Sequence, residues 1–153
     1  LFVFGYRKTR LQFKAGNNQI YFYVYTFVDE NTPYIPYTKI RGAKHCAQTD
    51  AVLDSMKTDE NLISHEFKRM KVIMRELWIN FITYGKPVPE GYNNFPSWPP
   101  MSTEMSYMVL DKNPEYRKAF VYENLKFWDD IIKKYYKYPS RPAPTLHTYK
   151  TYI

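Results

Sequence analysis

Cysteine is nearly absent. The chain of 153 residues holds one, Cys46, so it forms no internal disulfide and carries no paired-cysteine metal site. Histidine is almost as scarce. His45, His65 and His147 lie far apart, without ligand spacing, so no metal is expected. Only five glycines are present, and none falls in a phosphate-cradling or dinucleotide-binding loop, so no nucleotide cofactor is expected. The longest apolar stretch at the start, LFVF, is too short for a secretory signal, and no run approaches the ~18 apolar residues of a membrane span. The end, HTYKTYI, has no retention tetrapeptide and no lipid-anchor signal, which leaves the compartment open. The G-x-S-x-G turn is also missing: none of the six serines has glycines two places away on both sides.

What is present is aromatic. Sixteen tyrosines and ten phenylalanines raise the aromatic share to 19%, in a chain that is 44% hydrophobic, too apolar for disorder. The formal charge of +7 permits contact with anions. The basic residues, however, are interleaved with carboxylates, as over 66–76 and 123–134, in the manner of solvated helix faces. No nucleic-acid motif accompanies them, so no nucleic-acid partner is expected.

The periodicities give an order of elements. Residues 1–14 predict a helix stopped by Gly16. Residues 19–28, QIYFYVYTFV, are apolar in both alternating positions, which predicts a strand covered on both faces. Residues 29–44 carry Pro33, Pro36 and Gly42 and read as a long loop, and 48–57 as a short helix. The spacing of Phe67, Met70, Met74, Leu77 and Phe81 predicts a helix over 66–84, with Ile73, Trp78 and Ile82 widening its buried stripe. Gly85 and Pro87 end it. Residues 86–104 read as loop and 106–111 as a short strand. Residues 116–137 read as a second helix, with Val121, Leu125, Trp128, Ile132 and Tyr135 on one face. Residues 138–153, with three prolines, read as a tail beyond a structured segment 1–137.

One apolar strand with large helices leaves sheet edges bare. The chain also starts inside an element, without an initiator methionine. Both features are expected of part of a larger domain.

The ordered pieces resemble the C-terminal part of a type-B carboxylesterase, the insect α-esterase branch in particular. RKTRLQ followed by QIYFYVYTF is similar to that family's helix and strand. GAKHC is similar to its G-x-x-H segment with alanine or cysteine next. ELWINFITYGKPVP, then FPSWPP with SYMVLD, then LKFWDDIIKKY follow in the family's order. The resemblance implies an α/β-hydrolase fold, a mixed sheet flanked by helices, incomplete in this chain. It implies that His45 is the general base of a Ser-Glu/Asp-His triad. The serine, the acid and the oxyanion hole would lie upstream, and the remainder of the esterase domain would be the chain's partner. The substrate would be a small or lipophilic ester. A triad histidine alone lacks a nucleophile, so the chain by itself is expected to be inactive.

In that setting Gly42 is expected to let the loop turn close to the site, and Met70, Met74 and Phe81 are candidate pocket-lining residues, with core packing as their alternative role. The family's acidic residues at the second and third positions after the histidine are replaced by Ala47 and Gln48, with Asp50 beyond. That substitution keeps open a catalytically inactive esterase-like binding or adhesion protein, or a truncated copy without function.

Overall fold

The computed structural model describes residues 2–53, 63–118 and 122–135. Its elements are α1 (Phe2–Lys14), β1 (Tyr23–Tyr25), α2 (Ala47–Leu53), α3 (His65–Tyr84), β2 (Tyr107–Leu110), β3 (Glu115–Arg117) and α4 (Tyr122–Tyr135). They fall into two compact units that divide between residues 120 and 121, and α4 belongs to the second. No helix among the described residues is long and apolar enough to cross a membrane.

The three strands form one mixed sheet in the order β1-β2-β3. β1 runs parallel to β2, with Tyr23 opposite Met108 and Tyr25 opposite Leu110. β3 runs antiparallel, with Tyr107 opposite Arg117. The parallel ladder continues past the assigned strand: Met108 N–H donates to Phe22 C=O and Thr26 N–H to Leu110 C=O, each at 3.0 Å. The Thr26 hydroxyl also donates to Asp111 at 2.8 Å, locking the ends of the two strands together.

The alternation of β1 divides its rings between two layers, as period-2 geometry requires. The odd positions face α3. Tyr21 meets Phe81 edge-on at 5.8 Å between centroids, and Phe27 stacks on Phe67 at 6.2 Å. Among the even positions, Phe22 meets Tyr6 of α1 at 6.1 Å. The core lies on the α3 side, where Met70, Ile73, Met74 and Leu77 pack with Phe27, Met108 and Leu110.

α3 is built as its sequence predicts. The Ser64 hydroxyl accepts from Phe67 N–H at 3.0 Å at one end. Gly85, left-handed at φ 70°, closes the other by donating to Phe81 C=O. The Ser64 hydroxyl also donates to Asp29, tying the helix start to the chain leaving β1.

Several expectations need correction. The buried stripe of α3 is narrower than the spacing predicts: Trp78 and Phe81 are 40% and 41% exposed, and Ile82 is 76% exposed. The second helix starts later than 116. Asp111, whose carboxylate accepts from Lys112 N–H, opens a bend at 111–113, and with Pro114 the chain turns back into β3. A strand of three residues is too short to display its period, so the helical pattern beyond masks it. Within α4, Trp128 and Tyr135 of the expected apolar face are exposed. The tail 138–153 lies outside the described residues, as do 54–57 of the expected short helix and Val121.

Candidate functional site

The loop leaving β1 is pinned along its length. Arg41 donates to Glu30 C=O at 3.0 Å and lays its guanidinium 4.3 Å from the Tyr34 ring centre, so the far end of the loop is tied to its start. Ile35 N–H bonds Ile40 C=O at 2.9 Å, closing the tip between them. The chain then enters α2 through a turn in which Ala47 N–H donates to Lys44 C=O and Thr49 N–H to Cys46 C=O.

His45 lies in this turn and is exposed. It borders an open cleft of about 490 Å³ whose other walls include Phe22, Tyr23, Tyr25, Cys46 and Gln48. Tyr25 is the last residue of β1, so the cleft that His45 borders reaches the carboxyl end of a parallel strand, where α/β sheets place their sites. Space for a reacting group is present beside the ring.

Cys46 adopts a left-handed backbone, φ 62°, uncommon for a residue with a Cβ. Its Sγ lies 3.2 Å from His45 Nδ1 and 3.8 Å from Nε2. The sequence does not lead one to expect this contact, because adjacent side chains rarely turn toward each other. The left-handed backbone brings them together, and nothing in the sequence signals it. The aromatic cleft wall is legible in the sequence only as a strand; that Phe22, Tyr23 and Tyr25 share a cleft with His45 depends on the course of the loop.

At Gly42 the structure shows no conformation that requires glycine. Its backbone is outside the left-handed region, and a Cβ added there would meet nothing within 4 Å. The bend at the site is made at Cys46 instead. Met70 and Met74, at 1% and 0% exposure, pack in the core. Phe81 lines a separate cavity of about 130 Å³ between α3 and the sheet, together with Tyr21, Tyr23, Trp78 and Trp98. Tyr23 borders both spaces.

Burial raises the phenol pKa of Tyr21, Tyr23 and Tyr25. At Tyr25 the carboxylates of Asp111, Asp50 and Asp29 raise it further, since each opposes a phenolate. Among the described residues no group of three or more His, Cys, Asp or Glu side chains could hold a metal ion.

The mixed sheet and its flanking helices agree with what known proteins show. The model of the Carboxylesterase family matches residues 1–128, and the chain belongs to that family. It is 28% identical over 121 residues to the pyrethroid hydrolase Ces2a of Mus musculus. It is 28% identical over 129 residues to an acylcarnitine hydrolase of the same organism. Each alignment covers 78% of this chain and 21% of the relative. Among solved structures, an esterase from Clostridium hathewayi that can hydrolyse aliphatic aromatic polyesters superposes with a TM-score of 0.55 at 20% identity, over 76% of this chain and 22% of that one. A structure described as PNB esterase gives 0.52 at 22% identity, over 69% and 20%. The fold is therefore a partial α/β-hydrolase fold, and the chain spans about a fifth of the length of the relatives it matches.

Proposed function

We propose that this chain is part of a carboxylic-ester hydrolase and supplies its general base, His45. The serine nucleophile, the Glu or Asp that orients the imidazole, and the oxyanion hole belong to the remainder of the esterase domain. In the acylation step, one imidazole nitrogen takes the proton of the serine hydroxyl as its oxygen attacks the ester carbonyl. The same proton passes to the alkoxide leaving group as the C–O bond breaks. In deacylation the imidazole takes a proton from water and returns it to the serine oxygen. An imidazole can both accept and release a proton near neutrality.

The observation that supports this reading is that His45 borders a cleft that reaches the carboxyl end of β1 and has room for a serine. The substrate is a small or lipophilic ester, in keeping with the aromatic wall of Phe22, Tyr23 and Tyr25.

The test places this chain in place of the matching segment of Ces2a and measures hydrolysis of p-nitrophenyl acetate. His45→Ala lowers turnover by ~10⁴ or more, because triad members act as a unit. A loss under tenfold in a folded protein removes His45 from the mechanism.

A second reading draws on Gln48. It lines the cleft at a position where the resemblance leads one to expect a carboxylate. An esterase-like binding protein without turnover fits that change, and the same assay separates the two.

A further inference from the structure

We propose that Lys44 is a specificity-determining residue, and that it selects esters carrying a negative charge at the end away from the scissile bond. The proposal narrows the substrate of the reading above and rests on that reading.

Lys44 and His45 are consecutive in the turn that leads into α2, and both line the same cleft. The turn fixes the lysine backbone, whose C=O accepts from Ala47 N–H at 3.1 Å. The side chain is not used in that way. Among the described residues the Lys44 ammonium has no hydrogen bond or ion pair. Other cations are engaged. Arg41, three residues earlier, bonds Glu30 C=O and lies on the Tyr34 ring. Lys86 pairs with Glu90, and Lys112 with Glu66.

The charge of the cleft is one-sided. No residue that lines it is an Asp or a Glu, and Gln48 contributes only an uncharged amide. Three carboxylates act on Tyr25 without lining the cleft. Asp111 accepts from the Thr26 hydroxyl and from Lys112 N–H, both at 2.8 Å. Asp29 accepts from the Ser64 hydroxyl and from Asn31 N–H. Asp50 is not free either. Phe22, Tyr23 and Tyr25 supply an aromatic wall that screens charge poorly. A cleft with low-dielectric walls and charge of one sign concentrates ligands of the other. The net charge of +7 adds to that field.

The substrate class follows. An ester whose far end is a carboxylate meets Lys44 with its anion while its carbonyl lies beside His45. A neutral ester of the same shape gains the aromatic wall alone.

The test compares two isosteric esters in the Ces2a chimera, 4-acetoxybenzoate and its neutral amide, 4-acetoxybenzamide. The quantity read is the ratio of their kcat/KM values, from which any general change in activity cancels. The ratio favours the anion. It falls by about tenfold in Lys44→Gln, and it is kept in Lys44→Arg. It falls also in Gln48→Glu, which puts a carboxylate into the cleft. Raising the salt from about 0.1 M to about 1 M shortens the screening length from ~10 to ~3 Å and erodes the preference. Binding is read separately on this chain itself, from the Gln48 amide signals as 4-hydroxybenzoate or 4-hydroxybenzamide is added. The acid binds about tenfold more tightly, and Lys44→Gln removes the difference.

A ratio that Lys44→Gln, Gln48→Glu or salt leaves unmoved overturns the proposal. So does a binding preference for the acid that survives Lys44→Gln. A Lys44→Arg variant as unselective as Lys44→Gln overturns it too, because the loss then reflects the turn and not the charge. Selective binding without His45-dependent turnover supports the role of Lys44 and defeats the catalytic reading. Turnover that depends on His45 and shows no preference does the reverse.

Discussion

The sulfur of Cys46 lies 3.2 Å from Nδ1 of the preceding residue, His45. In a serine hydrolase the two imidazole nitrogens divide the work, Nε2 facing the serine and Nδ1 the acid. On the proposal that His45 is the general base, the thiol stands where the acid partner binds, and one yields to the other when the site is assembled. A neutral hydrogen bond contributes only about 0.5–1.5 kcal/mol, whereas one to a charged group contributes about 1.5–3. On that proposal the carboxylate is expected to displace the thiol. Cys46→Ala is expected to change turnover of the chimera by less than about tenfold, while the ring nitrogens of His45 in the isolated chain shift in ¹⁵N spectra. A loss of several powers of ten would make the thiol part of the catalytic machinery.

The same residue sets the turn. A left-handed conformation costs a residue with a Cβ roughly 1–2 kcal/mol, and glycine avoids that cost. Cys46, at φ 62°, bears it and Gly42 does not. Cys46→Gly is expected to leave the chain as stable or stabilise it by up to about 1 kcal/mol, and Gly42→Ala to cost nothing measurable. Urea denaturation of both variants checks the ranking. A Gly42→Ala loss above about 1 kcal/mol would restore the turn-forming role to that glycine.

The strong periodicities are legible in the amino-acid order alone: α1, α3 with its glycine stop, and the apolar strand leading to the histidine turn. Each is written in local chemistry, as at Ser64 and Gly85. Three features are not legible there, for physical reasons. β3 is too short to show a period. The exposure of Trp78 and Phe81 depends on how far the sheet extends above α3, which no local pattern encodes. The meeting of Cys46 with His45 depends on one backbone dihedral. Family resemblance supplies His45 as a candidate; the residues alone mark it only as a histidine after a glycine.

Met74 and Phe81 share one helical stripe in the sequence, and the structure separates them. Met74 is wholly buried against the sheet, and Phe81 stands at the rim of the aromatic cavity. Met74→Ala should cost about 2–5 kcal/mol, the range for emptying a well-packed core site. Phe81→Ala should cost distinctly less than the ~3–5 kcal/mol of a fully buried phenylalanine. Equal losses in denaturant titrations would mean that Phe81 is covered in solution.

Three phenols of β1 and its approach, those of Tyr21, Tyr23 and Tyr25, are harder to ionise folded than unfolded. A folded pKa above the unfolded value of ~10 means that the folded chain holds its protons longer. The associated stability is fully present below pH ~10 and is lost as pH rises beyond it. Unfolding free energy should fall steeply above pH ~10, and Tyr25→Phe should flatten part of that fall. Absorbance titration near 295 nm should show these phenols ionising late or only on unfolding. An early, reversible ionisation of all sixteen tyrosines in the folded chain would contradict the burial.

Gln48 offers a direct probe of the catalytic role proposed for His45. It lines the cleft that His45 borders. It has the length of a glutamate without the charge. A carboxylate near an imidazole stabilises the imidazolium, the form that appears in the transition state, and raises the apparent pKa of the group. Glutamine supplies no such charge. In the chimera, Gln48→Glu is therefore expected to raise turnover several-fold and to move the acid limb of the pH–rate profile to higher pH. The sign follows from the base: a raised imidazole pKa means that more of the free enzyme is protonated, hence inactive, at a given pH below neutrality. A rise in turnover without that displacement would place Gln48 on the substrate instead of the imidazole. No change in either would make the residue a spectator of the cleft wall.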